Sequence, residues 1–244
     1  MSLKEKLILI KENGYQAPHD TFQLIQEMMV NIGSLDAQLR DDLIYTTLSN
    51  WIPDNTLTVR ELEQLLPVVL DKKHLLFRLG ETHTDSVFTR SFSMLVIPLL
   101  LMRHRESPYL SSEHIHQIKE NVFYNVQKER DYRGYDEEKG WAHAIAHAAD
   151  ALDELAQCSE LDKTDLLTIL DLVYEKMTIT DRVYSDGEDE RIVKCIISVL
   201  NRKTLSQTYI EQWIQRFGDV EKVDADLCPT IEHTLYKIEQ VYYS

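Results

Sequence analysis

Helix punctuation constrains this chain more than any other feature. Apolar residues recur at three- and four-residue spacing almost throughout, and the interruptions fall where helix ends need them. Ser2 with Glu5, and Thr58 with Glu61, read as capping boxes. In each, the hydroxyl takes an orphan N–H of the first turn and the carboxylate answers the N–H of the cap. Gly14 and Gly33 stand where a helix must stop. Only 7 of 244 residues are Gly and 6 are Pro, roughly half the usual share of each. A turn-rich β fold needs more of both, and no strong strand alternation competes. The predicted class is all-α.

The same signals predict about eleven helices. Those of the first half end at Gly14, run from Thr21 to Ile32, from Ser34 to near Trp51, from Thr58 toward Gly80, and from Ser86 to His104. The rest cover Glu113 to Lys128, Glu138 to Gln157, Thr164 to Met177, Gly187 to Asn201, Gln207 to Phe217 and Asp226 to Tyr242. Asp20 and Asp85 are placed to cap two of them. Pro67 and Pro98 fall inside successive segments, where each removes an internal hydrogen bond and kinks its helix. So many short-linked helices exceed a simple bundle. The expected architecture is an α/α superhelix of HEAT-like antiparallel helix pairs, one helical-repeat domain over residues 1–244. The helix-plus-loop period recurs without an exact sequence repeat.

A net charge of −15 repels phosphate backbones and anionic lipid, so no nucleic-acid or membrane partner is expected. Cys158, Cys195 and Cys228 are too dispersed for a disulfide framework or a CxxC pair. Met1 to Asn13 mixes Lys and Glu with apolar residues, unlike a signal peptide. The uncharged run from Ser91 to Met102 is shorter than the roughly twenty residues of a spanning helix. A cytoplasmic setting is expected.

Chemistry concentrates between Asp131 and Asp150. On a continuous helix, His143, His147, Asp150 and Glu154 fall within a stripe about 60° wide. Trp141, Ile145 and Leu152 then point to the opposite, buried side, and the alanines between let neighbouring helices close in. Two histidines at i and i+4 can share a divalent metal, but the zincin pattern needs Glu where Ala144 stands. A metal-free histidine pair oriented by Asp150 is therefore preferred, and no cofactor is predicted. Arg90 in an apolar helix, Asp131 and Arg133 beside Gly134, and Glu188, Asp189 and Arg191 at a helix start are the candidate partners. The acids of that last cluster also complement a helix dipole, and it lacks EF-hand spacing. No Walker, GxGxxG or GxSxG motif is present.

The run Gly140-Trp-Ala-His-Ala-Ile-Ala-His-Ala-Ala-Asp150, with Asp131-Tyr-Arg-Gly134 before it, resembles an uncharacterised bacterial family of all-helical proteins. Val87 to Ser93 and Gly187 to Arg191 are similar to other segments of that family. The resemblance implies a helical-repeat fold and no established activity. Its matching positions are Arg90, Asp131, Arg133, His143, His147, Asp150, Glu188, Asp189 and Arg191.

The expected function is a helical-repeat binding protein whose groove, lined by the His143/His147/Asp150 helix, takes a small polar ligand or a protein segment. The alternative is a hydrolase-type enzyme with His143 or His147 as general base and Asp150 as its orienter, possible with metal assistance. In that case Arg90 or Arg133 would bind an anionic group. A compact pocket favours the enzyme and a long open groove the scaffold.

Overall fold

The computed structural model describes residues 1–179 and 184–220, together with Tyr236. Among these the chain is all-α, with ten α-helices and one two-stranded ribbon. In order they are α1 (Leu3–Glu12), α2 (Thr21–Val30), a π-helical stretch (Gln38–Tyr45) running into α3 (Thr46–Trp51), α4 (Val59–Val69), α5 (Ser86–Glu106) and α6 (Ser112–Lys128). Strands β1 (Tyr135–Asp136) and β2 (Gly140–Trp141) follow, then α7 (Ala144–Ala156), α8 (Lys163–Met177), α9 (Glu188–Asn201) and α10 (Gln207–Val220). The helix expected over Asp226 to Tyr242 lies outside the described residues.

Capping chemistry sets many of these boundaries. Ser2 and Thr58 make the expected boxes with Glu5 and Glu61, and Ser111 with His114 and Asp162 with Asp165 make two more. Asp20 and Asp85 precede helices but neither side chain caps. Asp85 instead pairs with Lys139 at 2.7 Å. The segment expected to reach Gly80 as helix stops at Val69, just past Pro67. Beyond it Arg78, Gly80 and His83 take positive φ in a turn-rich connection.

The main hydrophobic core runs from Leu3 to Phe217, with a small second cluster of Val87, Phe88, Ala142 and Ala144. Helix α7 is wedged at its centre, with α5 packed on one flank and α9 on the other. Ala146, Ala148, Ala149 and Ala151 are all buried, and their small size lets three backbones approach closely. Helices α2 and α4, and α6 and α8, also pack on each other, so many contacts join a helix to the next but one. Helix α5 is long and apolar enough to cross a membrane by composition, yet 89% of its most apolar window lies inside the protein. It is a buried core helix, and its side chains support the site described next.

Candidate functional site

The structure corrects the start of the histidine helix. A helix from Glu138 was expected, but α7 begins at Ala144, and β1 pairs antiparallel with β2 ahead of it. Gly140 closes the ribbon at φ +78°, and a Cβ there would lie 2.8 Å from Ala37 Cβ. Arg40 completes the closure from below. It is fully buried between the Phe88 and Phe92 rings, 4.5 and 4.7 Å from their centroids, and its Nη2 donates to the Lys139 carbonyl at 2.6 Å. A helix across residues 138–143 would abolish both interactions.

Two side chains move in consequence. His143 is the N-cap of α7, in the left-handed region at φ +47°, rather than a member of the helical stripe. Its N–H donates to the Arg133 carbonyl at 3.1 Å, and Ala142 N–H donates to Gly134 at 2.8 Å. Trp141, expected in the core with Ile145 and Leu152, is 37% exposed. It lies on the ribbon, stacked on His143 with centroids 4.2 Å apart and planes 23° from parallel. Ile145 and Leu152 are buried as expected.

Beneath this ribbon is a cavity of about 390 Å³ lined by Asp41, Tyr45, Phe92, Leu95, Trp141, His143, His147, Asp186 and Arg191. The two histidine rings meet edge to face at 5.7 Å. Both face carbonyl oxygens, which can only accept, so the tautomers follow. His143 Nε2–H donates to the Asp186 carbonyl and His147 Nδ1–H to the Ser91 carbonyl, each at 3.1 Å. Burial holds the His147 imidazole well below its usual value, helped by the neighbouring His143. His147 is therefore neutral, with the Nε2 lone pair left as an acceptor or base.

Charges around the cavity come in pairs. Arg191 Nη1 is ion-paired with Asp150 in a close contact, so Asp150 does not orient a histidine as the sequence led us to expect. Burial raises the Asp150 carboxyl and Arg191 partly offsets it. Arg40 Nε meets Asp41 Oδ1 at 2.8 Å. Burial nevertheless pushes the Asp41 carboxyl up to about 6, against the pull of Arg40. The Tyr45 hydroxyl is raised by burial and then by Asp150.

Of the other sequence candidates, Glu188 joins the site from behind. Its Oε1 lies 4.0 Å from His143 Nε2, and its Oε2 accepts from Asp186 N–H at 2.9 Å. Asp189 sits half-buried in the first turn of α9. Arg90, Asp131 and Arg133 lie outside the cavity. Arg90 is locked in the core, Nε 2.7 Å from Glu129 Oε2, with further bonds to the carbonyls of Phe77, Arg78 and Glu81. Burial alone would raise the Asp131 carboxyl, but the two-pronged grip of Arg133 at 2.7 and 2.8 Å holds it low. Glu154 is taken by Arg105. Among the described residues no three His, Cys, Asp or Glu side chains gather as a metal site.

Gly134 explains how the α9 loop reaches His143. A Cβ at Gly134 would stand 2.0 Å from Asp186 Oδ2, so only a missing side chain lets the loop close. Sequence reasoning passed over Arg40, Asp41, Tyr45 and Phe92. The available signal was an Arg-Asp-Asp run in an otherwise core-spaced helix. A larger cavity of about 520 Å³ beside the end of α2 holds His74, whose two ring nitrogens are engaged by Asp71 and the Met29 carbonyl. It lacks the paired acids and guanidinium groups of the first.

The family described as protein of unknown function (DUF2785) matches residues 75–236, about two thirds of the chain. No curated protein and no solved structure matches.

Proposed function

The chain belongs to the DUF2785 family, whose function is unknown, and on that premise we propose that it binds a small polar molecule beneath the Trp141 ribbon. One observation carries this reading. The His147, Arg191 and Tyr45 side chains, from three separate helical segments, line a single compact space of about 390 Å³. That volume falls in the range of small-molecule pockets, about 300–1,000 Å³, and speaks against a protein segment as the occupant. The next-but-one packing of α5, α7 and α9, and of α6 and α8, supports reading the scaffold as HEAT-like stacked pairs.

A hydrolase-type activity is the second reading, and the His147–Ser91 hydrogen bond favours it. A base oriented through its Nδ1–H and kept neutral can take a proton at Nε2. Among the described residues no serine or cysteine lines the cavity, so an activated water would be the nucleophile, with Arg191 beside the developing charge.

Thermal-shift screening of a metabolite library tests the binding reading on wild type, His147→Gln and Arg191→Gln. Compounds should raise the wild-type Tm and lose that effect in both variants. A library that leaves the wild type unmoved, or hits indifferent to both changes, sinks the proposal. Hydrolysis that survives His147→Gln sinks the second reading.

A further inference from the structure

The cavity of about 520 Å³ at the end of α2 has two walls that the fold holds in place. The first is the turn over residues 31–34. A Cβ on Gly33 would stand 2.0 Å from Thr89 Oγ1, so only a missing side chain lets this turn close on α5. The second wall, residues 73–77, is gripped from the core. Arg90 Nη1 donates to the Phe77 and Arg78 carbonyls at 3.1 and 3.2 Å, and Arg78 takes a left-handed φ of +47°. Non-glycine residues held in that region are strained, and such strain gathers at ligand clamps. His74 ties the walls together, its ring 2.8 Å from Asp71 Oδ1 and 3.2 Å from the Met29 carbonyl. With both nitrogens spent, it offers the interior no further bond.

Positive charge gathers at this mouth although the whole chain carries −15. Lys73 lines the cavity, and among the described residues no carboxylate lies within 4.0 Å of its ammonium. Arg78 stands 5.5 Å from the centroid of the lining Phe77 ring, with Glu81 no nearer to it than 3.8 Å. Lys72, Lys73 and Arg78 therefore outnumber Asp71 and Glu81 along this segment, even if His74 is left uncharged. Acids of the neighbouring elements are already matched, Glu27 by Lys6, Asp36 by Lys4 and Asp85 by Lys139. Nor does the end of α2 need Lys73 as a cap. The Met28, Met29 and Asn31 carbonyls accept from Asn31, Ile32 and Ser34 N–H. Beside the lysine, Val30 is 83% exposed at the rim and supplies uncovered apolar surface.

We propose that this cavity is a second binding site, independent of the one beneath Trp141, and that it takes a small organic carboxylate. The carboxylate meets Lys73 with Arg78 beside it, and the apolar body lies along Val30. An anion is repelled by most of so acidic a surface and is admitted where the local field reverses.

Two-dimensional amide NMR of the full chain, titrated with hexanoate, benzoate and phenylacetate, tests this. Hexylamine, hexanol and inorganic phosphate are the comparators. At least one carboxylate should shift the amides of residues 29–34 and 73–77. Its affinity should fall ~10-fold in Lys73→Glu and stay within about threefold in Lys73→Arg. Added salt should weaken it, because the ammonium is exposed. Val30→Ser should weaken it too, whereas Lys11→Gln on α1 should not. Lys73 and Val30 are both exposed, and the amide spectrum itself verifies that the variants fold. Binding by hexylamine or hexanol alone overturns the anion class. Phosphate binding as tightly as every carboxylate overturns the part given to Val30 and with it the organic-anion site. No binding by any probe, or carboxylate binding indifferent to Lys73→Glu, overturns the proposal outright. None of these outcomes touches the cavity beneath Trp141, which stands or falls by the thermal-shift screen.

Discussion

Arg40 Nη2 donates to the carbonyl oxygen of Lys139 at 2.6 Å, a contact between residues 99 positions apart. The guanidinium also bonds the Ser34 carbonyl at 2.6 Å and neutralises Asp41 at 2.8 Å. Arg40→Leu should therefore cost about 3–5 kcal/mol, because it strands a largely buried carboxylate. The double change Arg40→Leu/Asp41→Asn should recover part of that loss. Urea unfolding measures both, and a double variant no more stable than the single one would refute the coupling.

Gly134 and Gly218 make opposite predictions for the same substitution. At Gly134 a methyl group meets Asp186 Oδ2 at 2.0 Å. Gly134→Ala should cost about 1–3 kcal/mol and disturb the His143–Asp186 hydrogen bond. At Gly218, inside α10, no described residue would lie within 4 Å of an added Cβ. Gly218→Ala should stabilise by up to ~1 kcal/mol through helix propensity. Thermal melts of the two variants should move in opposite directions.

Asp41 and His147 tilt the pH dependence of stability in opposite senses. Asp41 keeps its proton to about 6 in the folded protein, above its ordinary 3.8. The native state then binds more protons than the unfolded chain across that interval, so the Asp41 contribution falls as pH rises through it. His147 is depressed below 6.5. Below that pH the unfolded chain takes up a proton that the buried ring refuses, so the His147 contribution falls as pH drops. Asp41→Asn should flatten the first slope and His147→Gln the second. Urea midpoints from about pH 4 to 8 separate them, and unchanged slopes in the variants would show that other groups govern the profile.

Leu152 and Trp141 were placed together on one buried face by helical periodicity, and the structure separates them. Leu152 is 2% exposed. Leu152→Ala should cost about 2–5 kcal/mol. Trp141→Ala, on the exposed ribbon, should cost less than the leucine change. Chemical denaturation of both variants checks the order, and a reversed ranking would return Trp141 to the core.

The all-α class was legible because capping, glycine placement and apolar spacing are local signals, and Ser2–Glu5 and Thr58–Glu61 form as read. The start of α7 was not. Gly140-Trp141-Ala142-His143 is compatible with a helical pattern, and only Arg40, distant in sequence, decides otherwise. The pairing of Asp150 with Arg191 likewise depends on how closely α7 and α9 approach, which no local spacing encodes. His143 and His147 could be singled out from type and spacing. The aromatic and acidic half of their cavity could not, because Asp41, Tyr45 and Phe92 are ordinary residues until the fold assembles them.

The π-helical stretch Gln38–Tyr45 gives this part of the chain an unusual tolerance of a change in length. Such a stretch carries wider turns than the α-helix into which it runs, with i→i+5 bonding in place of i→i+4. Thr46 Oγ1, donating to the Asp41 carbonyl five residues back at 3.2 Å, marks that widened turn. Loss of one codon there would let the segment tighten into an α-helix with no break in the reading frame. The tightened turn would absorb most of that loss, because a wide turn already holds about one residue more than an α-helical one. The residues that flank the stretch would keep their faces. Length in this segment can thus change by one residue without re-aiming the helix that follows it.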